Sequence, residues 1–594
     1  MSYKPGPLYA CNPYTARSES TKLGVDPEGK KLIYTNGRAV IIRDIHDPAN
    51  AHAYTQHAQT ATVARFSPSG YYAASGDVAG NVRIWDTTNP EENILKLAIR
   101  PLAGRINDLA WDSESKRIIV GGEGKDKFGA AFFIDSGSSC GEITGHAKPI
   151  TALSVRHQRP FRAVSGSDDN SIVLHTAVPF KYDKIISTHT RFVRDVQYAP
   201  DGSVFASVGS DGKLFIYDGK DGTVLKDADG TDGRSLMALS WAPDSTRLVT
   251  AGADGVVALW DAAAAQKSTQ WAVGDAVEDQ QNGVVWADPN TVVSASCNGV
   301  LNVFDVREGG SWKKLYGPTR AVTASALSEK TFYTGSFDGG LKAFSDAGAC
   351  ENVEGQGHSG QIVGLAPDGK GTVYSAAWDD KIAAIKGAEF ATTSVPAKAQ
   401  PGGIAATPNG AYVISDAGLE LVSGGSSSTL LSDAGSAVAA HSGSEDLVAV
   451  GSGKKVTIYT VSGGKATERA SFEDNKGEIS ALAFSADGSL LAAGDIQGRI
   501  VLIDAKSDKV LVSSRWTFHT GRVASLAFNA ANKLVSGGAD ESIYIWNPEK
   551  VIRNIAIKNA HPGGVAGVSW RSDNEVISSG ADACVRTWTI EAAA

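Results

Sequence analysis

The sequence lacks the features by which several classes of protein are recognised. Its five cysteines lie far apart and form no C-x-x-C pair, which argues against a zinc site or a disulfide framework and is typical of the reducing cytoplasm. No run approaches the ~18 apolar residues of a membrane span. The first twenty residues have no apolar core of a secretory leader. We therefore expect a cytoplasmic protein that does not associate with membranes.

Positive charge is also scarce. The chain has 56 Lys and Arg against 65 Asp and Glu, a formal net charge of −9, and no long basic run. Proteins that bind nucleic acid usually concentrate basic residues on one face. We therefore expect no nucleic-acid partner.

Glycine, in contrast, is abundant, with 65 residues among 594. Many of these glycines lie in a sequence pattern that is repeated along the chain. FSPSGYYAASGDVAGNVRIWD (66–86) returns as VQYAPDGSVFASVGSDGKLFIYD (196–218), LSWAPDSTRLVTAGADGVVALWD (239–261) and LAFNAANKLVSGGADESIYIWN (526–547). The aromatic ends Tyr217, Trp260, Phe304 and Phe344 are 43, 44 and 40 residues apart. Counting weaker copies, the chain contains fourteen units. A repeat of about 40–45 residues that ends in Trp-Asp is the WD-repeat signature of a β-propeller.

Each unit predicts four short strands, separated by the D-G, S-G and N-G turns that favour hairpins. A sheet of four strands cannot bury both of its faces alone, whereas sheets stacked around an axis can. Rings usually hold about 4–8 such blades. The sequence therefore predicts an all-β chain of two seven-bladed WD-repeat β-propellers in tandem.

The ends of the chain predict how the rings close. We assign residues 15–317 to the first propeller, whose last strand lies in SWKKLYG (311–317), and residues 318–594 to the second. The fourteenth unit ends without residues for a fourth strand, so residues 1–14 are expected to supply that strand and close the second ring. The alternative is an N-terminus packed loosely on the first ring.

Histidine and aspartate recur at a nearly fixed distance. His146–Asp169, His189–Asp211, His519–Asp540 and His561–Asp582 are 23, 22, 21 and 21 residues apart. A His–Asp pair suggests a proton relay. Because the pair returns in one unit after another, we interpret it as a structural hydrogen-bond network of the WD repeat, completed by a Ser or Thr and by the strand aromatic.

Motifs of enzymes and cofactor sites occur only in turns. GSSCG (137–141) matches the nucleophile elbow but leads from one strand into another. GLAPDGKG (364–371) has Gly371 in place of the Ser or Thr of a phosphate-binding loop, and KDADGTDG (226–233) has no twelfth-position Glu for calcium, since Ala238 stands there. We expect no enzyme activity, no metal and no cofactor.

The loops that depart from the repeat suggest a binding surface. Unit three has a long loop with Glu123, Asp126 and Lys127, and unit four has Asp168 beside the network residue Asp169. Phe180 and Tyr182 follow where the chain enters an outer strand, and Phe192 lies in the next loop. Aromatic residues beside charges on adjacent blades are typical of binding hot spots. The alternative is that these aromatics only cover blade edges.

Several of these stretches resemble one family. DPEGKKLIYTNGRAVIIRDIHDPANAHAYTQHA (26–58), VGGEGKDKFGAAFFIDSGSSCGEITGH (120–146) and GSDDN followed by PFKY are similar to the actin-interacting protein 1 family. The similarity continues through both rings and is weakest around 390–440.

The resemblance implies a non-enzymatic protein of the actin cytoskeleton, at cortical actin structures. Family members bind filaments decorated with cofilin (actin-depolymerising factor), promote their disassembly and restrict barbed-end growth. The implied contact to actin and cofilin is the surface with Glu123, Asp126, Lys127, Asp168, Phe180, Tyr182 and Phe192. We expect a monomer. The rival hypotheses are a generic WD-repeat scaffold or substrate receptor of a signalling or degradation complex, and a propeller enzyme with a site in a central channel.

Overall fold

The computed structural model of the protein describes residues 2–90, 92–231, 233–310, 312–391 and 393–591. These residues form 57 β-strands and two single-turn 3₁₀ helices, Val277–Asp279 and Pro548–Lys550. No helix of this described part has the length and hydrophobicity that crossing a membrane would need. None of the five cysteines, all of which lie in it, forms a disulfide.

The chain divides into two compact units, each with seven antiparallel sheets. The N-terminal unit comprises residues 12–315, and the C-terminal unit comprises residues 1–11 and 316–594. Sheets I to VII belong to the first unit and sheets VIII to XIV to the second. All have four strands except sheet IX, which has five.

The N-terminal unit takes its strands from consecutive stretches of the chain, four for each sheet. The strands of sheets I to IV, preceded in the chain by β1 (Ser2–Tyr9), are β2 (Gly24–Val25), β3 (Lys31–Asn36), β4 (Ala39–Asp44), β5 (Ala51–Tyr54); β6 (Ala61–Phe66), β7 (Tyr72–Asp77), β8 (Val82–Asp86), β9 (Leu95–Ile99); β10 (Ile106–Trp111), β11 (Arg117–Gly122), β12 (Gly129–Phe133), β13 (Ser139–Gly141); β14 (Ile150–Arg156), β15 (Arg162–Ser167), β16 (Ile172–Thr176), β17 (Lys181–Ile186). Those of sheets V to VII are β18 (Val193–Tyr198), β19 (Val204–Gly209), β20 (Lys213–Asp218), β21 (Val224–Asp229); β22 (Leu236–Trp241), β23 (Arg247–Gly252), β24 (Val256–Asp261), β25 (Gln266–Ala272); β26 (Gln281–Asp288), β27 (Thr291–Ser296), β28 (Leu301–Asp305), β29 (Trp312–Leu315). Ser311, in the stretch predicted to form the last of these strands, lies outside the described residues.

The C-terminal unit follows the same plan, with one extra strand in its second sheet. The strands of sheets VIII to XI are β30 (Val322–Ser328), β31 (Thr331–Ser336), β32 (Leu341–Phe344), β33 (Cys350–Asn352); β34 (Ile362–Pro367), β35 (Thr372–Ala377), β36 (Lys381–Lys386), β37 (Glu389–Phe390), β38 (Val395–Pro396); β39 (Pro401–Thr407), β40 (Gly410–Ser415), β41 (Gly418–Ser423), β42 (Ser426–Leu431); β43 (Ala437–His441), β44 (Asp446–Ser452), β45 (Lys455–Ser462), β46 (Lys465–Phe472). Those of sheets XII to XIV are β47 (Ile479–Phe484), β48 (Leu490–Asp495), β49 (Ile500–Asp504), β50 (Lys509–Trp516); β51 (Val523–Phe528), β52 (Leu534–Gly538), β53 (Ile543–Trp546), β54 (Asn554–Ile557); β55 (Val565–Ser572), β56 (Glu575–Gly580) and β57 (Val585–Glu591).

The stretch 66–86 shows how one repeat makes a hairpin. Tyr72 pairs with Asp86, so that β7 and β8 lie antiparallel across the turn 78–81. The Asp77 carboxylate closes this turn by accepting hydrogen bonds from the backbone N–H groups of Ala79 and Asn81, at 2.9 and 3.0 Å. Gly80 has φ +87°, and a side chain there would collide with the Leu102 carbonyl oxygen. The polar turn residues therefore fix the register of the apolar strands.

Within each unit, the first strand of every sheet contacts the first strand of the next. In the N-terminal unit side chains reinforce this contact: Thr62 Oγ1 donates to the Ile106 carbonyl, Asn107 Nδ2 to Ile150 at 2.9 Å, and Thr151 Oγ1 to Val193 at 2.6 Å. The contacts continue around the unit, and β2 of sheet I lies against β26 of sheet VII. In the C-terminal unit β30 of sheet VIII likewise contacts β55 of sheet XIV.

Sheet XIV takes its outer strand from the beginning of the chain. β1 pairs antiparallel with β57, in the order β1-β57-β56-β55. Tyr3 packs edge-on against Trp588 with ring centres 6.0 Å apart, and Tyr9 stacks on Phe344 of sheet VIII at 6.0 Å. β1 therefore belongs to the C-terminal unit, and its last two residues, Leu8 and Tyr9, are buried there.

The hydrophobic cores lie between neighbouring sheets. One cluster joins sheets II and III through Ile84, Ile106 and Phe132, all at most 2% exposed. Another joins sheets XII and XIII through Trp516 and Trp546, whose ring centres are 5.1 Å apart. Each sheet buries apolar side chains on both faces, which explains the near-continuous apolar runs of its inner strands.

Candidate protein-binding surface

The recurring histidines form buried chains of hydrogen bonds inside the sheets. In sheet XIV, Trp588 Nε1 donates to Ser578 Oγ at 2.8 Å, and the hydroxyl lies 2.8 Å from His561 Nε2. His561 Nδ1 lies 2.8 Å from Asp582 Oδ1. Because the Asp582 carboxylate can only accept, His561 Nδ1 carries a proton and donates it to Asp582 Oδ1 in a hydrogen bond. In the neutral imidazole Nε2 is then an acceptor, and the Ser578 hydroxyl donates to it while accepting from Trp588 Nε1.

The same Nδ1–carboxylate pair is present in four further sheets. The distances are 3.0 Å for His146–Asp169, 3.0 Å for His189–Asp211, 2.9 Å for His358–Asp379 and 2.9 Å for His519–Asp540. Burial alone would raise the pKa of Asp540, but hydrogen bonds from His519 and from the Thr520 N–H outweigh burial and hold that pKa below its usual range.

The imidazole rings of these pairs are closed to solvent, with exposures of 0–1%. The rings of His189, His519 and His561 are fully buried, and each Nε2 already meets a serine hydroxyl. Within the described ranges, no group of three or more His, Cys, Asp or Glu side chains could hold a metal ion. A satisfied network of this kind contributes to stability and specificity of the fold.

The loop between β11 and β12 presents three of the predicted surface residues to solvent. Glu123, Asp126 and Lys127 are all exposed. The loop is anchored at its base, where the Glu123 N–H donates to the Arg105 carbonyl at 2.8 Å and the Gly122 N–H donates to the Phe128 carbonyl at 2.9 Å. The charges therefore stand on a supported loop of sheet III.

Asp168 occupies the corresponding position of sheet IV, directly after its second strand. Its N–H donates to the Pro149 carbonyl at 3.2 Å, just as Val78 donates to Thr60 in sheet II at 3.0 Å. The carboxyl is half-buried, and Oδ1 has no hydrogen-bond partner among the described residues. Burial raises the pKa of Asp168, although the positive charges of Arg194 and Lys148 oppose this.

Phe192 lies in the neighbouring loop and is 40% exposed. Lys148 Nζ lies 5.8 Å from the centre of its ring, and the Arg194 guanidinium carbon lies 5.5 Å from it. Arg194 Nε donates to Ser210 Oγ at 2.6 Å, which fixes the arginine. The two cations that oppose the pKa shift of Asp168 are thus the same two that contact Phe192.

Tyr182, on β17, is 48% exposed and packs against the backbone beside the network of sheet IV. A Cβ atom on Gly145 would lie 2.7 Å from Tyr182 Cδ2, and Gly145 has φ +111°. Only glycine fits at this position, directly before His146. The tyrosine ring therefore covers the chain segment that brings His146 to its aspartate.

Phe180 was expected at the surface, and this expectation is wrong. Its side chain is 2% exposed and packs in a core with Cys140, Ile143 and Leu153. The reason is a parallel pairing between two sheets: β13 has only three residues, and the Phe180 N–H donates to the Cys140 carbonyl while the Phe180 carbonyl accepts from the Glu142 N–H. Phe180 fills the space between sheets III and IV and supports the surface from beneath.

The structure thus brings together only some of the residues predicted to form the binding surface. Asp168 and Phe192 share Lys148 and Arg194, whereas in the described residues no side-chain hydrogen bond or ion pair links Glu123, Asp126 or Lys127 to them. Lys148 and Arg194 were not identified from the sequence. Arg194 could have been found, because it lies only two residues after Phe192 in the chain.

Comparison with known proteins gives matches over most of the chain. The family described as WD domain, G-beta repeat matches residues 50–86, 137–175, 180–218, 222–261 and 553–589. The family described as anaphase-promoting complex subunit 4 WD40 domain matches residues 439–531.

Longer matches are to individual proteins. The chain is 35% identical over 579 residues to Actin-interacting protein 1 of Drosophila melanogaster, covering 94% of this chain and 93% of that protein. It is 36% identical over 574 residues to Actin-interacting protein 1 of Caenorhabditis elegans, covering 93% and 94%. It is 35% identical over 578 residues to WD repeat-containing protein 1 of Gallus gallus, covering 94% of each.

Proposed function

The chain belongs to the actin-interacting protein 1 family of WD-repeat proteins, and on that premise we propose that it binds cofilin-decorated actin filaments and promotes their disassembly. We further propose that it restricts growth at barbed ends. The observation that carries the proposal is the identity of about 35%, over 93–94% of both chains, with relatives named for an interaction with actin.

Two seven-bladed propellers are the architecture proposed for this activity. Each unit has seven sheets, and in each the first strands contact one another in sequence until the seventh meets the first. The N-terminal strand β1, paired with β57, supplies the outer strand of the seventh sheet of the C-terminal unit. Closed rings of this kind hold their loops rigidly, which suits binding of proteins.

The proposed contact surface consists of Glu123, Asp126, Lys127, Asp168, Tyr182 and Phe192, with Lys148 and Arg194 added. The chain is acidic overall, but these loops also contain Lys125 and Arg191, both exposed, so the surface has a locally basic character. Local complementarity of charge favours specificity and the rate of association. It allows an acidic chain to bind an acidic partner.

Disassembly would follow from differential binding. A ligand shifts an equilibrium only by the difference between its affinities for the two states. If the surface binds cofilin-decorated filament ends more tightly than bare filaments, binding stabilises severed and capped filaments relative to continuous filaments. This mechanism needs no covalent chemistry, and we propose a monomeric, non-enzymatic protein of the cytoplasmic actin cytoskeleton.

Co-sedimentation with actin filaments tests the proposal. The full chain should pellet with filaments in the presence of cofilin and much less without it, and it should raise the unpolymerised actin fraction only when cofilin is present. No pelleting under either condition would reject the proposal.

A generic scaffold in a degradation or signalling complex is the second candidate. The match of residues 439–531 to a WD40 domain of the anaphase-promoting complex favours it. That match covers part of the C-terminal unit only, whereas the similarity to the actin-interacting relatives covers both units. Cofilin-dependent pelleting separates the two, because a degradation receptor has no reason to require cofilin.

A further inference from the structure

Phe192 combines an exposed aromatic ring with two cations. Lys148 and Arg194 lie 5.8 and 5.5 Å from its centre, within the ~6 Å range of cation–π attraction. An aromatic ring is negative over its face and positive at its edge. When cations associate with the face, the positive edge of the ring and the charge of the cations remain available to a group that approaches from solvent.

These cations are not neutralised by an ion pair. Among the described residues, no carboxylate lies within 4.0 Å of Lys148 Nζ or of the Arg194 guanidinium, and Asp168 influences both only through space. Other cations of the same unit are paired: Lys22 lies 3.4 Å from two aspartates, and Arg117 lies 2.6 Å from Asp112. Lys148 is exposed. The site therefore has spare positive charge beside an apolar ring.

We infer that Lys148, Arg194 and Phe192 bind the carboxylate of an aspartate or glutamate in an acidic segment of the protein partner. The oxygens would pair with the ammonium and guanidinium groups, and the methylene carbons of that side chain would pack on the edge of Phe192. Arg194 is well suited to a carboxylate because its planar guanidinium presents several N–H donors in one plane. Asp168 attracts both cations through space and acts as a positioning residue.

A protein carboxylate fits the site better than a phospholipid surface. Asp168 offsets part of the positive charge of Lys148 and Arg194, so the remaining charge suits a single carboxylate better than a multiply charged phosphate, and the net charge of −9 opposes adsorption to anionic membranes. The inference rests on the proposed function for the identity of the partner, but not for the chemistry of the site.

The test uses Lys148→Glu in the full chain. We expect its affinity for cofilin-decorated filaments to fall by at least about tenfold, since about 1.4 kcal/mol corresponds to that factor. The conservative Lys148→Arg should bind within about threefold of wild type, because it keeps the charge. Lys220→Glu, at an exposed turn of sheet V, makes the same charge change away from the site and should have no effect. Equal binding of Lys148→Glu and wild type would overturn the inference.

A second measurement does not depend on filaments. A fluorescent oligo-glutamate peptide should bind the wild-type chain, with affinity that declines as salt rises from about 0.05 to about 0.2 M, and should bind Lys148→Glu much more weakly. If the wild-type chain fails to pellet with filaments yet binds the peptide in this way, the proposed function fails and the site stands. Equal peptide binding by wild type and Lys148→Glu, or tighter binding to phosphatidylserine vesicles than to the peptide, would overturn the site.

Discussion

In sheet IV, His175 Nε2 lies 3.0 Å from Ser165 Oγ, where sheets XIII and XIV have a tryptophan at the same place. The Ser165 hydroxyl also lies 2.8 Å from His146 Nε2. If the hydroxyl donates to His146, as in the other networks, His175 must donate from Nε2. Its Nδ1 is then a buried acceptor, and Nδ1 has no hydrogen-bond partner among the described residues.

We therefore expect His175 to make the N-terminal unit sensitive to acid. Burial, followed by the charge of His146, lowers the pKa of His175 from 6.5 to about 3. Below pH 6.5 His175 binds a proton in the unfolded chain but not in the folded chain. The free energy of unfolding therefore falls as the pH falls toward about 3. The imidazole contacts the Ser165 hydroxyl, which also contacts His146, and Tyr182 is its neighbour across the strand pair.

His175→Tyr tests this expectation, because Tyr217 has the same role in sheet V, with its hydroxyl 3.0 Å from Ser207 Oγ. The unfolding free energy of the variant, measured in urea, should depend less on pH below 6.5 than that of wild type. The exposed His46→Gln serves as control and should keep the wild-type slope. Identical slopes for His175→Tyr and wild type would contradict the assignment.

Substitutions of Phe180 and Tyr182 should affect different properties, stability for Phe180 and filament binding for Tyr182. Phe180→Ala removes a core side chain, and we expect it to lower the free energy of unfolding by about 3–5 kcal/mol. Tyr182→Ala removes a half-exposed ring and should change stability by about 0.5 kcal/mol or less, while weakening cofilin-dependent filament binding. Urea unfolding and co-sedimentation of both variants measure the contrast. Loss of stability in Tyr182→Ala with unchanged binding would exclude it from the contact surface.

Asp168→Ala and Phe192→Ala should weaken cofilin-dependent disassembly and leave the unfolding temperature nearly unchanged. Asp168 positions two cations, and Phe192 provides the apolar contact between them. Val78→Ala is the matched control, because Val78 is 39% exposed and has the same backbone position in sheet II. Filament disassembly can be followed by fluorescence of labelled actin. Wild-type activity of both variants would place the interface elsewhere.

The repeats made much of the fold predictable, because the same pattern of turn and strand residues occurs many times in the chain. The turn aspartates, the alternating strands and the His–Asp spacing follow from contacts within a single sheet, as in the pair His561 and Asp582. The family could also be predicted, because the stretches 26–58 and 120–146 depart from the general repeat in a specific way.

Contacts between sheets were harder to predict. Phe180 was misplaced because its burial depends on the parallel pairing of β13 with the chain before β17, which no local pattern encodes. Lys148 was missed because its relation to Phe192 joins two loops that are 44 residues apart in the chain. Lys22 was missed for the same reason, since its partners come from sheets III and V.

Removal of the Asp540 carboxylate should show what the recurring network contributes. Asp540→Ala leaves His519 Nδ1 and the Thr520 N–H without their acceptor, and we expect a loss of about 2–4 kcal/mol. Because the folded-state pKa of Asp540 is lowered, its contribution is present above the unfolded value of 3.8 and is lost as the pH falls below it. Urea unfolding above and below this pH measures the effect. The exposed Asp573→Ala is the control, and an equal loss in both variants would mean that the network contributes nothing specific.

We expect Lys22 to be essential for the stability of the N-terminal unit. Its side chain is 7% exposed, and Nζ lies 3.4 Å from both Asp108 Oδ2 and Asp195 Oδ1. Arg65 also pairs with Asp108 at 3.3 Å, whereas Lys22→Met removes the one ion pair that Asp195 makes with the described residues. Breaking a buried pair in this way costs about 3–5 kcal/mol.

Burial already raises the pKa of Asp195 above 3.8, with Lys22 opposing the shift, so Lys22→Met should raise this pKa further. The folded variant then takes up a proton that the unfolded chain does not, and its unfolding free energy should increase as the pH falls from about 7 to about 5. Lys22→Met combined with Asp195→Asn removes the unpaired charge and should recover part of the loss at neutral pH. If the single and double variants unfold at the same urea concentration at both pH values, Lys22 acts through packing of its methylene groups and not through its charge.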